Sequence, residues 1–211
     1  MKVIPQAILS ILTISSTLSA ATYTVTSGLT QDILDISGQA HPYSGPNLSA
    51  FVSTPNANLG YADLTGADLF RADLSFSSFD GADLTGAVLT LADLTGAIFR
   101  SADLTGASLP YADLDFANFN GADLIGANLF LVDLYFADLS GANLTGADLL
   151  GASFVSTAIW TNSNLYGATL PNGYDQEWFE SEGALFVVPE PSRYALLLGG
   201  LALGLVSLRR R

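Results

Sequence analysis

The sequence predicts an all-β chain folded as a parallel solenoid of four-sided coils, each 20 residues long. Three observations lead there. Residues 57–161 divide without a gap into 21 pentads, with Ala in the first position of 18 and Leu, Phe or Ile in the third position of every one. A period of five fits neither the 3.6 of a helix nor the 2 of a strand, whereas short fixed periods mark solenoids in which each coil buries its apolar face on the next. Finally, Phe79, Phe99 and Phe119 recur every 20 residues, with Leu89, Leu109 and Leu129 midway between them. A ring recurring at every fourth pentad implies four sides per turn. About five coils stack, and at ~4.8 Å between stacked strands the rod is roughly 25 Å tall.

The elements follow in chain order. Residues 1–21 read as a secretory signal peptide: Met1-Lys2, an apolar stretch through Ile4, Ala7-Ile8-Leu9 and Ile11-Leu12, then Ser19-Ala20-Ala21. The basic start, an apolar run too short to span a bilayer and small residues at a cleavage site are its marks. Cleavage after Ala20 and after Ala21 fit equally. A buried N-terminal helix is the competing reading, but Pro5 and the Ser/Thr run from Ser15 to Ser19 serve a helix badly. Residues 22–56 are a cap or linker, with a possible strand at Tyr23-Thr24-Val25-Thr26 and a Pro/Gly/Ser-rich stretch from His41 to Pro55. His41, the lone histidine, sits beside a proline with no second ligand type near it in sequence, and reads as a loop residue.

Residues 57–172 are the repeat. Ala62-Asp63-Leu64-Thr65-Gly66 and Ala102-Asp103-Leu104-Thr105-Gly106 show it plainly. One inserted residue near Asn162 shifts the frame, leaving Asn164-Leu165-Tyr166 and Thr169-Leu170-Pro171 as two weaker units. The pattern resembles the pentapeptide-repeat family, A-(D/N)-L-x-x. That resemblance implies a right-handed quadrilateral β-helix in which the central Leu or Phe and the preceding Ala point inward. Phe79, Phe99, Phe119 and Leu104 are then core, and the other three positions of each pentad face outward.

Residues 173–187 carry Tyr174, Trp178 and Phe179, enough apolar area to close a solenoid end. Residues 188–211 open with Val188-Pro189-Glu190-Pro191-Ser192, continue with an apolar stretch at 194–208 and close with Arg209-Arg210-Arg211. The apolar stretch is slightly short for an untilted transmembrane helix, and the arginines form a positive-inside anchor. Pro189, Glu190, Pro191, an apolar helix and Arg209–Arg211 in this order resemble the PEP-CTERM sorting signal of Gram-negative bacteria. That resemblance implies recognition by an exosortase-type membrane enzyme, removal of the tail and delivery to the outer surface or matrix. A permanent single-span anchor is the alternative.

The chain carries 20 acidic and 7 basic residues, a formal charge of −13. Between residues 21 and 190 only Arg71 and Arg100 remain against all 20 acids, so the body carries −18. Nucleic acid is thereby excluded as a partner, since binding phosphates needs clustered Lys and Arg. The absence of cysteine excludes disulfides, thiolate metal sites and a cysteine nucleophile.

Sorted by side, the second pentad positions form two aspartate ladders on opposite faces. One reads Asp63, Asp83, Asp103, Asp123, Asn143; the other reads Asp73, Asp93, Asp113, Asp133, Ser153. Carboxylates ~5 Å apart repel by roughly 0.8 kcal/mol per pair in bulk water. Two offsets are open: local hydrogen bonds from backbone N–H groups at turns, or a divalent cation bridging Asp63, Asp83, Asp103 and Asp123. One carboxylate per rung supplies far fewer oxygens than Ca²⁺ takes. The corners differ too. One is Thr-Gly almost throughout, whereas Phe70, Leu91, Tyr111, Phe130 and Leu131, with Phe76, Phe116 and Phe136 on the next corner, make an apolar stripe. Such a stripe marks an interaction surface, for self-association among other uses, unless residues 22–56 lie across it.

The sequence offers no Ser/His/Asp set, phosphate-binding glycine loop or mixed metal-ligand cluster, so the expectation is a protein that is not an enzyme and uses no cofactor. The expected function is structural: an exported, rigid, acidic surface or matrix rod. Its partners would be signal peptidase, an exosortase and possible exopolysaccharide of a biofilm. The alternative is an acidic DNA mimic that inhibits a DNA-binding enzyme such as a topoisomerase, a reading against which the export signals weigh.

Overall fold

The computed structural model describes residues 22–24, 30–32, 34–35, 48 and 52–187. Residues 52–187 form a stack of four-sided coils. Each pentad contributes one short parallel bridge to the coil above and one to the coil below, at an offset of 20: Asp63 pairs with Asp83, Asp83 with Asp103, Asp103 with Asp123. The backbone bonds that make this ladder recur without interruption. The Leu84 N–H donates to the Asp103 carbonyl at 2.7 Å, and the Asp103 N–H donates to the Ala82 carbonyl at 2.9 Å.

Corners follow from the residues between bridges. The N–H of each first-position residue closes a four-residue turn onto the central residue of the previous pentad, as from Ala107 to the Leu104 carbonyl at 2.9 Å. The fifth position therefore stands third in the turn and takes positive φ, 65° at Gly106, a conformation that glycine adopts without steric cost.

The interior follows the pentad rule. Ala62, Ala82, Ala102 and Ala122 are buried together with Leu64, Leu84, Leu104 and Leu124. Phe79, Phe99 and Phe119 stack face to face, with centroids 4.7 and 4.8 Å apart and planes within 3° of parallel. Those separations are the coil rise itself. Ser77, in an alanine position, is buried without loss because its hydroxyl accepts from the Ala57 N–H and donates to the Thr54 carbonyl.

The bridge ladder extends upstream of Ala57, with Ser53 on Asp73, and Leu48 is fully buried. Farther upstream, β1 (Thr22–Thr24) and β2 (Thr30–Asp32) form an antiparallel hairpin. β3 (Leu34–Asp35) pairs antiparallel with β4 (Ala62–Asp63), which covers part of the first coil's open edge. His41 lies outside the described residues.

The extra residue lies earlier than the sequence places it. Asp133 still pairs with Ser153 at an offset of 20, but Asp138 pairs with Ile159 at 21. A 3₁₀ turn at Val155–Thr157 takes up the insertion. Two central-position assignments are corrected in consequence. Phe154 points outward at φ 55°, with Val155 buried in its stead, and Ile159 is exposed while Trp160 is buried. Trp160 thereby enters the column of Phe79, Phe99, Phe119 and Leu139, where its ring is fully buried.

Across the C-terminal end lies α1 (Gln176–Ser181), capped by Asp175, whose side chain accepts from the Trp178 N–H at 2.9 Å. Its Phe179 is fully buried, and Leu185 then pairs parallel with Asn164 to close one face. Among the described residues no helix is long and apolar enough to cross a membrane. Residues 1–21, the sorting residues Pro189, Glu190, Pro191 and Arg209–Arg211, and the apolar segment 194–208 lie outside the described residues.

Candidate functional site

The second-position side chains sit beside the corner that follows them, where a backbone N–H is exposed. Each ladder carboxylate but one reaches it: Thr85 N–H donates to Asp83 at 2.9 Å, Thr105 N–H to Asp103 at 2.9 Å and Thr95 N–H to Asp93 at 3.0 Å. Asp63 and Asp73 also accept from the hydroxyls of Thr65 and Ser75. Hydrogen bonds from Ser53 and Ser75 hold the Asp73 carboxyl below the usual carboxylate range. The exception is Asp123, whose Oδ1 is buried without a hydrogen-bond partner. Burial first, and then the charge of Asp103 one rung below, push its pKa up. Among the described residues no group of three or more His, Asp or Glu is arranged to hold a metal ion.

The opposite ladder is richer. Asp115, at a corner, adds a third carboxylate beside Asp113 and Asp133. Burial, then the charges of Asp113 and Asp133, push Asp115 up to about 6, and its Oδ1 has no hydrogen-bond partner. This crowding was not foreseen from the pentad pattern, although an acid in the fourth position of one pentad on an aspartate face was its signal.

The stripe residues flank this same face. On the corner before it, Leu91, Tyr111 and Leu131 are exposed, and Phe70 and Phe130 are half-buried. On the corner after it, Phe76, Phe116 and Phe136 are exposed at 60, 56 and 51%, and the outward-turned Phe154 extends the row. The rings support one another. Phe116 and Phe136 stack with centroids 5.7 Å apart, Tyr135 meets Phe136 at 4.5 Å and Phe154 at 5.4 Å, and Tyr111 meets Phe130 edge-on at 5.9 Å. Face and flanks together are a carboxylate ladder running between two apolar ridges. The Thr-Gly corner offers nothing comparable; a methyl built on Gly66, Gly86, Gly106 or Gly126 would touch no neighbour.

Only one ion pair joins described residues: Arg100 Nη2 lies 2.6 Å from Asp80 one coil below, on a corner away from the acidic face. Arg71, the other cation of the body, sits over the Phe70 ring at 5.4 Å from its centroid.

This geometry defines a parallel β-helix of four-sided coils whose chemistry lies on its corners and not in a cleft. Eight copies of the pentapeptide repeat match between residues 56 and 172, over segments 56–86, 78–109, 87–124, 97–134 and 133–172. The chain belongs to the pentapeptide-repeat family. It is similar to HetL, a pentapeptide-repeat protein involved in heterocyst differentiation regulation in the cyanobacterium Nostoc sp. strain PCC 7120, at 33% identity, covering 64% of this chain and 70% of that one (TM-score 0.42). It is also similar to a pentapeptide-repeat protein of the Arabidopsis thaliana thylakoid lumen, at 28% identity over 59% of this chain and 90% of that one (TM-score 0.39). Full-length QnrB1, a plasmid-mediated fluoroquinolone resistance protein, matches at 20% identity over 71% and 87% of the two chains (TM-score 0.34). No curated protein is a significant match in sequence. Pentapeptide-repeat proteins are generally structural or regulatory.

Proposed function

We propose that this protein is a non-enzymatic, exported structural or interaction protein: a rigid acidic rod sorted by an exosortase-type system. Signal peptidase removes residues 1–21, the segment 194–208 holds the chain transiently in the inner membrane, and the rod ends at the outer surface or in the exopolysaccharide matrix of a Gram-negative bacterium. The observation that carries this reading is the order Pro189-Glu190-Pro191, apolar stretch, Arg209-Arg210-Arg211 at the chain end. Two further features support it. The basic residues are concentrated in the terminal segments, leaving a −18 body whose charge suits a solvated scaffold. The ladder carboxylates are mostly engaged by turn N–H groups and follow the repeat, and where Asp115 crowds Asp113 and Asp133 the three lie on a solvent-facing side of the coil, unlike the paired acids of a catalytic cleft.

The test is localisation of a chain tagged within the body, in cytoplasmic, membrane and matrix fractions, with mass spectrometry of the mature C-terminus. The expected result is matrix material ending upstream of Arg209. Intact Arg211 in the matrix fraction would overturn the processing step. Retention of the whole chain in the cytoplasm would overturn export and favour an acidic DNA mimic instead.

A further inference from the structure

Bulky apolar side chains occupy the least comfortable positions of this fold, and apart from Tyr61 they do so on two corners. The fifth residue of each pentad has positive φ, where a non-glycine residue costs roughly 1 kcal/mol. The Thr-Gly corner meets that demand with glycine throughout. The corners flanking the Asp73, Asp93, Asp113, Asp133 ladder do not: Phe76, Leu91, Tyr111, Phe116, Leu131 and Phe136 stand at φ between 53° and 60°. Large exposed apolar groups held at strained positions on both sides of one face are the pattern expected of a surface kept for contact.

Charge identifies the occupant. A column of carboxylates runs between the ridges, and at Asp113, Asp115 and Asp133 the negative charge is crowded without a cation nearby; the body's two arginines are engaged with Asp80 and Phe70. A second copy would bring its own −18 body against this face and is repelled. A neutral glycan could stack on the rings but would leave the carboxylate repulsion in place. A guanidinium satisfies both parts of the surface, pairing with carboxylates and lying over aromatic faces. Arg71 already lies in this way on Phe70, at the end of one ridge.

We infer that the face bearing Asp113, Asp115 and Asp133, with Tyr111 and Leu131 on one rim and Phe116 and Phe136 on the other, docks an extended arginine-rich segment of another protein, its apolar side chains lying on the rims. This surface is independent of how the chain ends are sorted, so its failure would leave the export reading untouched and the reverse.

The experiment titrates the full chain with a labelled peptide of alternating arginine and leucine, followed by fluorescence anisotropy. Three double variants are compared with the parent: Phe116→Ser with Phe136→Ser, Asp115→Asn with Asp133→Asn, and Asp83→Asn with Asp103→Asn on the opposite ladder. The last removes the same charge from the wrong face. The first two should weaken binding by about tenfold or more, and the third by less than about twofold. All altered side chains are at least partly exposed and asparagine keeps the turn acceptor, so a melting transition no lower than the parent's certifies the fold; Phe116→Leu with Phe136→Leu replaces the serine pair if that pair melts early. Equal loss from both aspartate pairs would reduce the effect to general charge attraction and overturn the inference. Binding that survives loss of the rings, persists with citrulline in place of arginine, or is displaced by a neutral glucan would overturn it as well.

Discussion

The indole of Trp160 meets the ring of Phe179 edge-on, with centroids 4.9 Å apart and planes at 88°. Trp160 ends the column that runs through Leu59, Phe79, Phe99, Phe119 and Leu139, and Phe179 is the residue of α1 that covers it. Trp160 is fixed in turn by its Nε1–H, which donates to the Val155 carbonyl at 3.0 Å. The last coil is therefore closed by a ring-on-ring contact instead of a further pentad. Phe179→Ala should destabilise the rod by about 3–5 kcal/mol, from lost burial and the cavity left behind. It should also open the C-terminal end first, so limited proteolysis would cut near residues 158–170 before the central coils.

In the middle of the rod a truncation has neighbours on both sides and no helix to release. Leu104→Ala should cost about 2–5 kcal/mol in thermal or denaturant unfolding. Asp substituted for Ala102 should be worse, since it places an unpaired charge where the side chain is fully enclosed. Wild-type stability in both variants would contradict the inward placement of the first and third pentad positions.

Two glycines at equivalent turn positions should respond differently to one methyl group. At Gly106 an added Cβ meets nothing, so Gly106→Ala bears only the positive-φ cost of roughly 1 kcal/mol. At Gly96 the same atom would stand 2.6 Å from the Phe76 ring, which lies across it. Gly96→Ala should therefore be the more destabilising, and combining it with Phe76→Ser should bring its cost back to that of Gly106→Ala. The double-mutant cycle reads that coupling directly.

Stability should rise on mild acidification. Asp115 titrates at about 6, above its ordinary value of 3.8, because burial and the charges of Asp113 and Asp133 penalise its ionised form. The folded state thus binds a proton more readily than the unfolded chain, and unfolding becomes harder as pH falls through 6 toward 4. The raised Asp123 acts in the same direction. Asp73 opposes both only at lower pH: its depressed pKa contributes stability above the ordinary carboxylate range that is lost as pH falls below it. The melting midpoint should climb between pH 7 and pH 5. Asp115→Asn should be more stable than the parent at pH 7 and show a flatter climb, and an identical profile would show that the crowding is relieved in solution.

The sequence by itself determined the coil. Alanine and leucine at fixed places in a period of five decide which side chains point inward, and Phe79, Phe99 and Phe119 at intervals of 20 decide that four pentads make a turn; both are local rules repeated, and no distant contact is needed to apply them. Which column closes the end was not legible, because Phe154 and Ile159 satisfy the pentad pattern well enough to carry the frame past Ser153 through two central positions. Only the packed coil decides there: Val155 and Trp160 are buried, and Phe154 and Ile159 are turned out to the surface. The site divides in the same way. That carboxylates and aromatic residues face outward could be read from position. That Asp115 crowds Asp113 and Asp133, and that two apolar ridges enclose one ladder and leave the other open, depends on distances between coils that only the tertiary structure sets.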